Sequence, residues 1–259
     1  MPIVAARTPS DCFDMAIEAA RIALVHQTPV IFLSDGYLAN GSEPWRLPEV
    51  DDLPVIEVRH ATEFNMVDED GNGTFWPFLR GEDGNRPIAL PGTADLMHRL
   101  GGIEKEDGSG NVSYDPDNHE HMVHLRNDRI AAIPVPEAEL EEGSEGDAGL
   151  LVVGWGSTWG AIAGAARRVR AAGGRVDHVH LTHLNPLPAN LGDLLRSHQQ
   201  VLVPELNLGQ LVRILRAEYL VDAQPLSKVK GQPFTAGEIQ FAIIEALDGL
   251  ADQNEGGAA

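Results

Sequence analysis

The chain has 259 residues, with 39 acidic against 19 basic side chains, a formal charge of -20, 43% hydrophobic residues and 5% aromatic ones. Such a length fits one large or two modest domains with their own cores, and the negative charge repels phosphate backbones and anionic membranes, which argues against nucleic-acid binding. The one cysteine, Cys12, rules out an intrachain disulfide and a four-cysteine iron–sulfur cluster; with no long apolar run and no basic-then-apolar leader at Met1-Pro2-Ile3-Val4, the expected location is the cytoplasm.

The first predicted elements form a β-α-β unit from Ile3 to about Asp35. Ile3 to Ala6 reads as a short strand, and Thr8-Pro9-Ser10-Asp11 offers an N-cap, a proline for the first helical turn and an early carboxylate. Phe13, Ile17, Ala20 and Leu24 then recur at helical spacing on one face. Thr28-Pro29 ends that run, and Val30-Ile31-Phe32-Leu33 reads as a strand buried on both sides. One β-α-β unit cannot cover both faces of a parallel sheet, so this domain is predicted to be partial.

From Leu38 to Ala148 the sequence is irregular, with Gly, Asp, Asn and Pro clusters, one helical candidate at Asp117–Ile133, and an acidic glycine-rich stretch from Glu139 to Gly149 that reads as a linker. Beyond it the chain alternates as a doubly wound domain does. Strands are predicted at Leu150–Val153, Val176–Leu181 and Val201–Val203, and helices near Ser157–Ala172, Asn190–Ser197, Gly209–Tyr219 and Thr235–Leu247. The tail Ala251–Ala259 is expected to be disordered. The fold class is therefore α/β, divided as 1–66, an irregular 67–148, a complete domain at 149–250, and the tail.

Several motifs invite chemistry and fail on spacing. Gly154-Trp155-Gly156 ends a strand as a dinucleotide fingerprint would, but Trp159 stands where the third glycine belongs and no ribose-binding acid ends the next strand, so a structural turn is the preferred reading. His119-Glu120-His121-Met122-Val123-His124 lacks histidines four apart around a glutamate, and a solvated polar helix is expected instead. Ser34-Asp35-Gly36 with Asn65 falls short of the Gly-Asp-Gly and Asn-Asn pattern that holds magnesium and thiamine diphosphate, because Ser34 and Met66 replace two of its members. Neither Gly-x-Ser-x-Gly nor Gly-Lys-Ser/Thr occurs, so no catalytic residue is assigned. Glu205, Asn207 and Gln210 follow the end of a buried strand, where open parallel sheets place ligand or partner contacts, though Glu205 and Asn207 could equally cap the next helix.

Taken together, Thr28–Leu38, Asp115–His119, Val152–Thr158, His183–Pro188, Val203–Leu211 and Gly231–Ile239 are similar, in order and spacing, to segments of the alpha subunit of 2-oxoacid:ferredoxin oxidoreductases, and the resemblance covers nearly the whole chain. It implies the end of a thiamine pyrimidine-binding domain followed by a transketolase carboxy-terminal-like α/β/α domain. Trp155-Gly156-Ser157-Thr158 and Asn185-Pro186-Leu187-Pro188 resemble the 2-oxoglutarate branch. The family's substrate motif and its pyrimidine-activating glutamate precede the matched region.

The resemblance further implies thiamine diphosphate, Mg2+ and a [4Fe-4S] cluster in the assembled enzyme, none held by this chain alone. Its implied partners are a beta subunit, a second alpha copy, ferredoxin, CoA and a 2-oxoacid. The residues expected to face a ligand or a subunit are Asp35, Tyr37, Gly154, Gly156, Ser157, Glu205, Asn207 and Gln210.

Overall fold

The computed structural model describes residues 1–67, 70–144, 146 and 148–256, with side chains as far as 252. Two compact units share the chain by interleaving: Met1–Pro2, Ala19–Val30 and Leu47–Pro134 make the first, and Ile3–Glu18, Ile31–Arg46 and Val135–Ala259 the second. These units do not follow the linear divisions at 66 and 148, because the irregular zone packs on itself instead of merely linking. Its core contains buried Phe75, Phe78, Leu96, Met122 and Ile133.

In chain order the elements begin with β1 (Ile3–Ala5), α1 (Asp11–Val25), β2 (Ile31–Leu33) and α2 (Gly36–Asn40). Val4 and Ala5 are fully buried, but β2 is the edge strand of its three-stranded sheet and Ile31 is exposed, which corrects the expectation of two-sided burial. The predicted face of α1 is also revised: Ile22 is its buried residue, while Ala20 and Leu24 are exposed and Phe13 and Ile17 half-buried.

The first unit is built mainly of turns, two-residue strand pairs, the second half of α1 and the helix α3 (Pro116–Ala131). Asp115 caps α3 by accepting from the Asp117 and Asn118 amides at 2.8 and 3.2 Å, and Pro116 fills a position where no amide is needed. Asn65 clips a loop to Trp76 by donating to its carbonyl at 2.8 Å and accepting from its amide at 2.7 Å. Two of the three histidines of α3 turn to acids: His119 meets Glu104 at 2.6 Å and His121 meets Asp107 at 3.0 Å. Among the described residues no His, Cys, Asp and Glu cluster could hold a metal ion.

The second unit contains the doubly wound sheet. Its strands are β3 (Leu140–Glu142), β4 (Leu150–Trp155), β5 (Val176–Leu181), β7 (Gln200–Glu205) and β8 (Ala223–Ser227), with the short β6 (His183–Asn185) pairing instead with β1. The order is β8-β7-β4-β5-β3, parallel except for β3. Helices α4 (Trp159–Ala171) and α7 (Ala236–Gly256) pack on one face, through Ile162, Ala166, Val169, Ile239 and Ile243. Helices α5 (Leu191–Arg196) and α6 (Gln210–Tyr219) cover the other, through Leu191, Leu195, Leu211 and Leu215. The expected three-layer α/β/α architecture is thereby present, and burial of each large apolar side chain contributes about 2 kcal/mol.

Two expectations change here. The acidic stretch from Glu139 is not only a linker: β3 joins the sheet edge beside β5, and the Ser144 amide donates to Asp177 at 2.8 Å. Charged Glu141 and Glu142 suit an edge strand, where they resist pairing with another chain. The tail expected to be disordered from Ala251 is helical as far as Gly256, because α7 continues without a breaker; residues 257–259 lie outside the described residues. No described helix is long and apolar enough to cross a membrane.

Candidate functional site

In the second sheet, the chain passes from β4 to β5 on one side and later to β7 on the other, so the winding direction reverses between β4 and β7. Such a reversal leaves a crevice at the carboxyl ends of the two strands. Trp155-Gly156-Ser157 leaves β4 there, and Leu206-Asn207 leaves β7. A cavity of about 220 Å3 at this point is lined by Asp35, Trp155, Gly156, Ser157, Leu206 and Asn207, among others. A second cavity, about 540 Å3, is lined by Asp35, Tyr37, Leu206, Lys228, Gln232 and Pro233, among others.

Four of the eight expected residues, Asp35, Gly156, Ser157 and Asn207, therefore line one cavity, and Tyr37 lines its neighbour. Asp35 is the N-cap of α2: one carboxylate oxygen accepts from the Tyr37 and Leu38 amides, both at 3.0 Å, and the other accepts from the Ser157 hydroxyl. Gly156 adopts a positive φ of 59° and starts the tight turn into α4.

The remaining three stand elsewhere. Gly154 is inside the sheet, where an added Cβ would lie 2.4 Å from Ile162 and 2.7 Å from His180, so its role is close packing of strand and helix. Glu205 is fully buried and accepts from the Leu211 and Val212 amides at 2.9 and 3.1 Å, from Asn207 at 3.1 Å, and from the Trp155 indole at 3.3 Å. A carboxylate at the first turn of α6 meets amides that have no intrahelical partner and the positive end of the helix dipole. Asn207 completes this cap by accepting from the Gly209 and Gln210 amides. Gln210 is exposed on the first turn.

Lys228 was not singled out from the sequence. Its ammonium donates to both oxygens of Glu238 at 2.8 Å and to the Pro233 carbonyl at 2.9 Å, and Glu238 with Thr235 forms the capping box of α7. The Lys228 hydrogen bond, then the Thr235 amide and hydroxyl, hold the Glu238 carboxyl at about 2. The signal was there in Thr235 followed three residues later by Glu238; what was missing was any indication that Lys228 reaches it.

The polar groups of the crevice thus satisfy one another. It contains no paired nucleophile and base, and Asp35 has both oxygens engaged, in capping α2 and in holding Ser157. Cys12 is the one free thiol. One cysteine cannot hold an iron–sulfur cluster, and among the described residues no group of His, Cys, Asp and Glu could hold a metal ion. What the crevice offers is a preformed, largely apolar pocket in which Asp35, Ser157 and Asn207 supply fixed polar groups, with Tyr37 exposed at the neighbouring cavity and Leu208 and Gln210 exposed just after Asn207.

Residues 1–74 match the family described as pyruvate flavodoxin/ferredoxin oxidoreductase, thiamine diP-bdg. Over 248 residues the chain is 50% identical to the 2-oxoglutarate oxidoreductase subunit KorA of Mycobacterium tuberculosis, covering 95% of this chain and 37% of that subunit. It is 24% identical over 237 residues to the 2-oxoglutarate synthase subunit KorA of Methanothermobacter marburgensis, covering 90% of this chain and 60% of that subunit. A solved structure of 2-oxoglutarate:ferredoxin oxidoreductase from Magnetococcus marinus, with 2-oxoglutarate, coenzyme A and succinyl-CoA bound, superposes with a TM-score of 0.85 at 30% identity, covering 95% of this chain and 42% of that chain. The chain spans less than two thirds of the length of each of these relatives.

Proposed function

We propose that this chain, a homologue of the carboxy-terminal part of 2-oxoacid:ferredoxin oxidoreductase alpha subunits, serves as the structural and subunit-docking portion of an enzyme that oxidises 2-oxoglutarate. The assembled reaction takes 2-oxoglutarate, CoA and oxidised ferredoxin to succinyl-CoA, CO2 and reduced ferredoxin. The superposition at a TM-score of 0.85 over 95% of this chain carries the reading, because it spans both compact units of the chain.

Thiamine diphosphate supplies the decarboxylation chemistry when bound, Mg2+ anchors its diphosphate, and a [4Fe-4S] cluster accepts the electrons. In this proposal the beta subunit contributes the metal and the cluster. This chain contributes a rigid sheet whose switch-point crevice, lined by Asp35, Ser157 and Asn207, is held together by its own hydrogen bonds. Tyr37 and Gln210, both exposed, are the contacts offered to the beta subunit or to a second alpha copy.

Reconstitution with the beta subunit tests the docking role. Tyr37→Ala combined with Gln210→Ala, with the circular dichroism of the parent retained, is expected to weaken co-purification, and unchanged co-purification removes this surface from the interface. Turnover of the complete complex tests the substrate: reduction of ferredoxin with pyruvate or branched-chain 2-oxoacids but not with 2-oxoglutarate would contradict the assignment.

A further inference from the structure

The first unit contains an arginine cluster that runs against the charge of the whole chain. A cavity of about 240 Å3 is lined by Gln27, Arg80, Arg86, Lys105, Arg126 and Arg129, with Phe78 and Glu104 among its other walls. Two of the four arginines are paired: Arg80 donates to Asp107 at 2.8 Å and Arg126 to Glu104 at 3.1 Å. Arg86 and Arg129 form no ion pair among the described residues. The Arg86 guanidinium instead lies 4.5 Å from the centre of the Phe78 ring, and Lys105 and Arg80 flank the same ring at 5.7 and 5.8 Å.

Buried hydrogen-bonding capacity accompanies this excess charge. The Nε atoms of Arg80 and Arg129 are buried without a partner, although the Arg80 side chain is only 10% exposed. Gln27 donates from Nε2 to the Arg86 carbonyl at 2.5 Å, which leaves its Oε1 buried and unpartnered too. Burial first, then repulsion from neighbouring guanidinium groups, lowers the pKa of Arg80 and of Arg86 below the ordinary arginine value; Arg80 recovers part through Asp107, and Arg129 is lowered by burial. Leaving such donors unmade is costly, and like charges gathered without a counter-ion add to the cost. Planar forked donors match the oxygens of a phosphate or carboxylate.

We propose that this cavity is a binding site for a small oxyanion, a phosphate or carboxylate group held by Arg86, Arg129 and Arg80. The adjoining group of that ligand carries an N–H or O–H for Gln27 Oε1. Gln27, Arg80 and Arg86 also line an adjoining cavity of about 650 Å3 together with Leu24, Val55 and Leu79, which provides room for the body of a ligand whose charged end sits on the arginines.

Calorimetric titration of the full chain with inorganic phosphate, and separately with succinate at matched ionic strength, tests the site without any turnover. Saturable binding of phosphate alone identifies a phosphate ligand, and of succinate alone a carboxylate ligand. Arg129→Gln is expected to weaken the binding about thirtyfold or more, and Arg213→Gln on α6 to leave it unchanged. Should Arg129→Gln fail to fold, Arg86→Lys keeps the charge while losing the fork, and it must still weaken binding. Absence of saturation by both anions, or equal affinity in the arginine variants and the parent, overturns the proposal.

Discussion

The Ser157 hydroxyl donates to the Asp35 carboxylate across 122 positions of sequence, and so ties the end of β4 to the cap of α2. The same carboxylate holds the Tyr37 and Leu38 amides, so one side chain orders a five-residue helix and one wall of the crevice. Because Asp35 is exposed, solvent screens this bond. Ser157→Ala is expected to cost about 1 kcal/mol, and Asp35→Ala more, since it also removes a cap. A double-mutant cycle by urea denaturation measures the coupling, and additive effects would show that the bond contributes nothing to the fold.

Glu205 predicts a larger loss. Four donors converge on its carboxylate, two of them backbone amides of α6 in the interior. Glu205→Ala leaves these donors without acceptors and is expected to destabilise by about 3 kcal/mol or more, whereas Glu205→Gln, which keeps one acceptor and the shape, costs less. Calorimetric melting of the two variants checks the order. Equal melting temperatures for Glu205→Ala and the parent would mean that the helix end is satisfied in another way.

Gly154 is the glycine of this strand end that packing requires. Gly154→Ala brings a methyl group against Ile162 and His180 in a filled interior, and overpacking of that kind costs about 1–3 kcal/mol. Thermal denaturation of the variant is the measurement. A stability equal to that of the parent would show that the strand and α4 can separate without penalty.

Buried imidazoles are expected to make the second unit sensitive to acid. Burial, and then the positive Arg170 and Arg7, pushes His178 down to about 3. His180, 5.6 Å away ring to ring, is lowered well below the ordinary value by burial and then by His178. Both are depressed, so the unfolded chain takes up their protons first, near about pH 6.5, and the native state does so only much lower. Stability is therefore complete above about pH 6.5 and falls progressively as the pH drops toward the folded value, by up to about 1.4 kcal/mol per pH unit for each histidine. His178→Gln should flatten the decline in melting temperature between about pH 7 and about pH 5 relative to the parent. Parallel declines in the two proteins would assign the acid sensitivity to other groups.

The parts of the fold legible in the sequence are those where one physical signal dominates. Apolar runs announced β4 and the middle of β7, because central parallel strands are buried on both faces, whereas β5, which carries Asp177, His178 and His180, followed from the strand–helix alternation. Edge strands lack that signal: β8 carries Gln224 and Pro225, and β3 carries two glutamates, so both read as loop. Asp35, Ser157 and Asn207 stood out through their place after strands, but their pairing was invisible, since spacing along a chain says nothing about partners more than a hundred residues away. Arg80, Arg86 and Arg129 were missed for the same reason: two lie in turn-rich sequence and the third on the helix α3, and nothing local shows that they meet.

The last prediction concerns the isolated chain and the cofactor whose family it matches over residues 1–74. A thiamine diphosphate site needs a metal bound to the diphosphate and a carboxylate directed at the pyrimidine. Among the described residues no acid and histidine cluster can hold a metal, and Asp35, the one acid in the crevice, already accepts from two amides and a hydroxyl. Electron exit needs a cluster with several thiolates, and Cys12 alone cannot supply them. The chain by itself is therefore expected to show no saturable heat on titration with thiamine diphosphate and Mg2+, and no oxidation of 2-oxoglutarate, while its melting transition shows that it is folded. Asp35→Asn, which keeps the cap, should leave that result unchanged. Micromolar binding by the parent chain, lost in Asp35→Asn, would place a cofactor contact in the crevice and reverse the assignment of Asp35 as a cap.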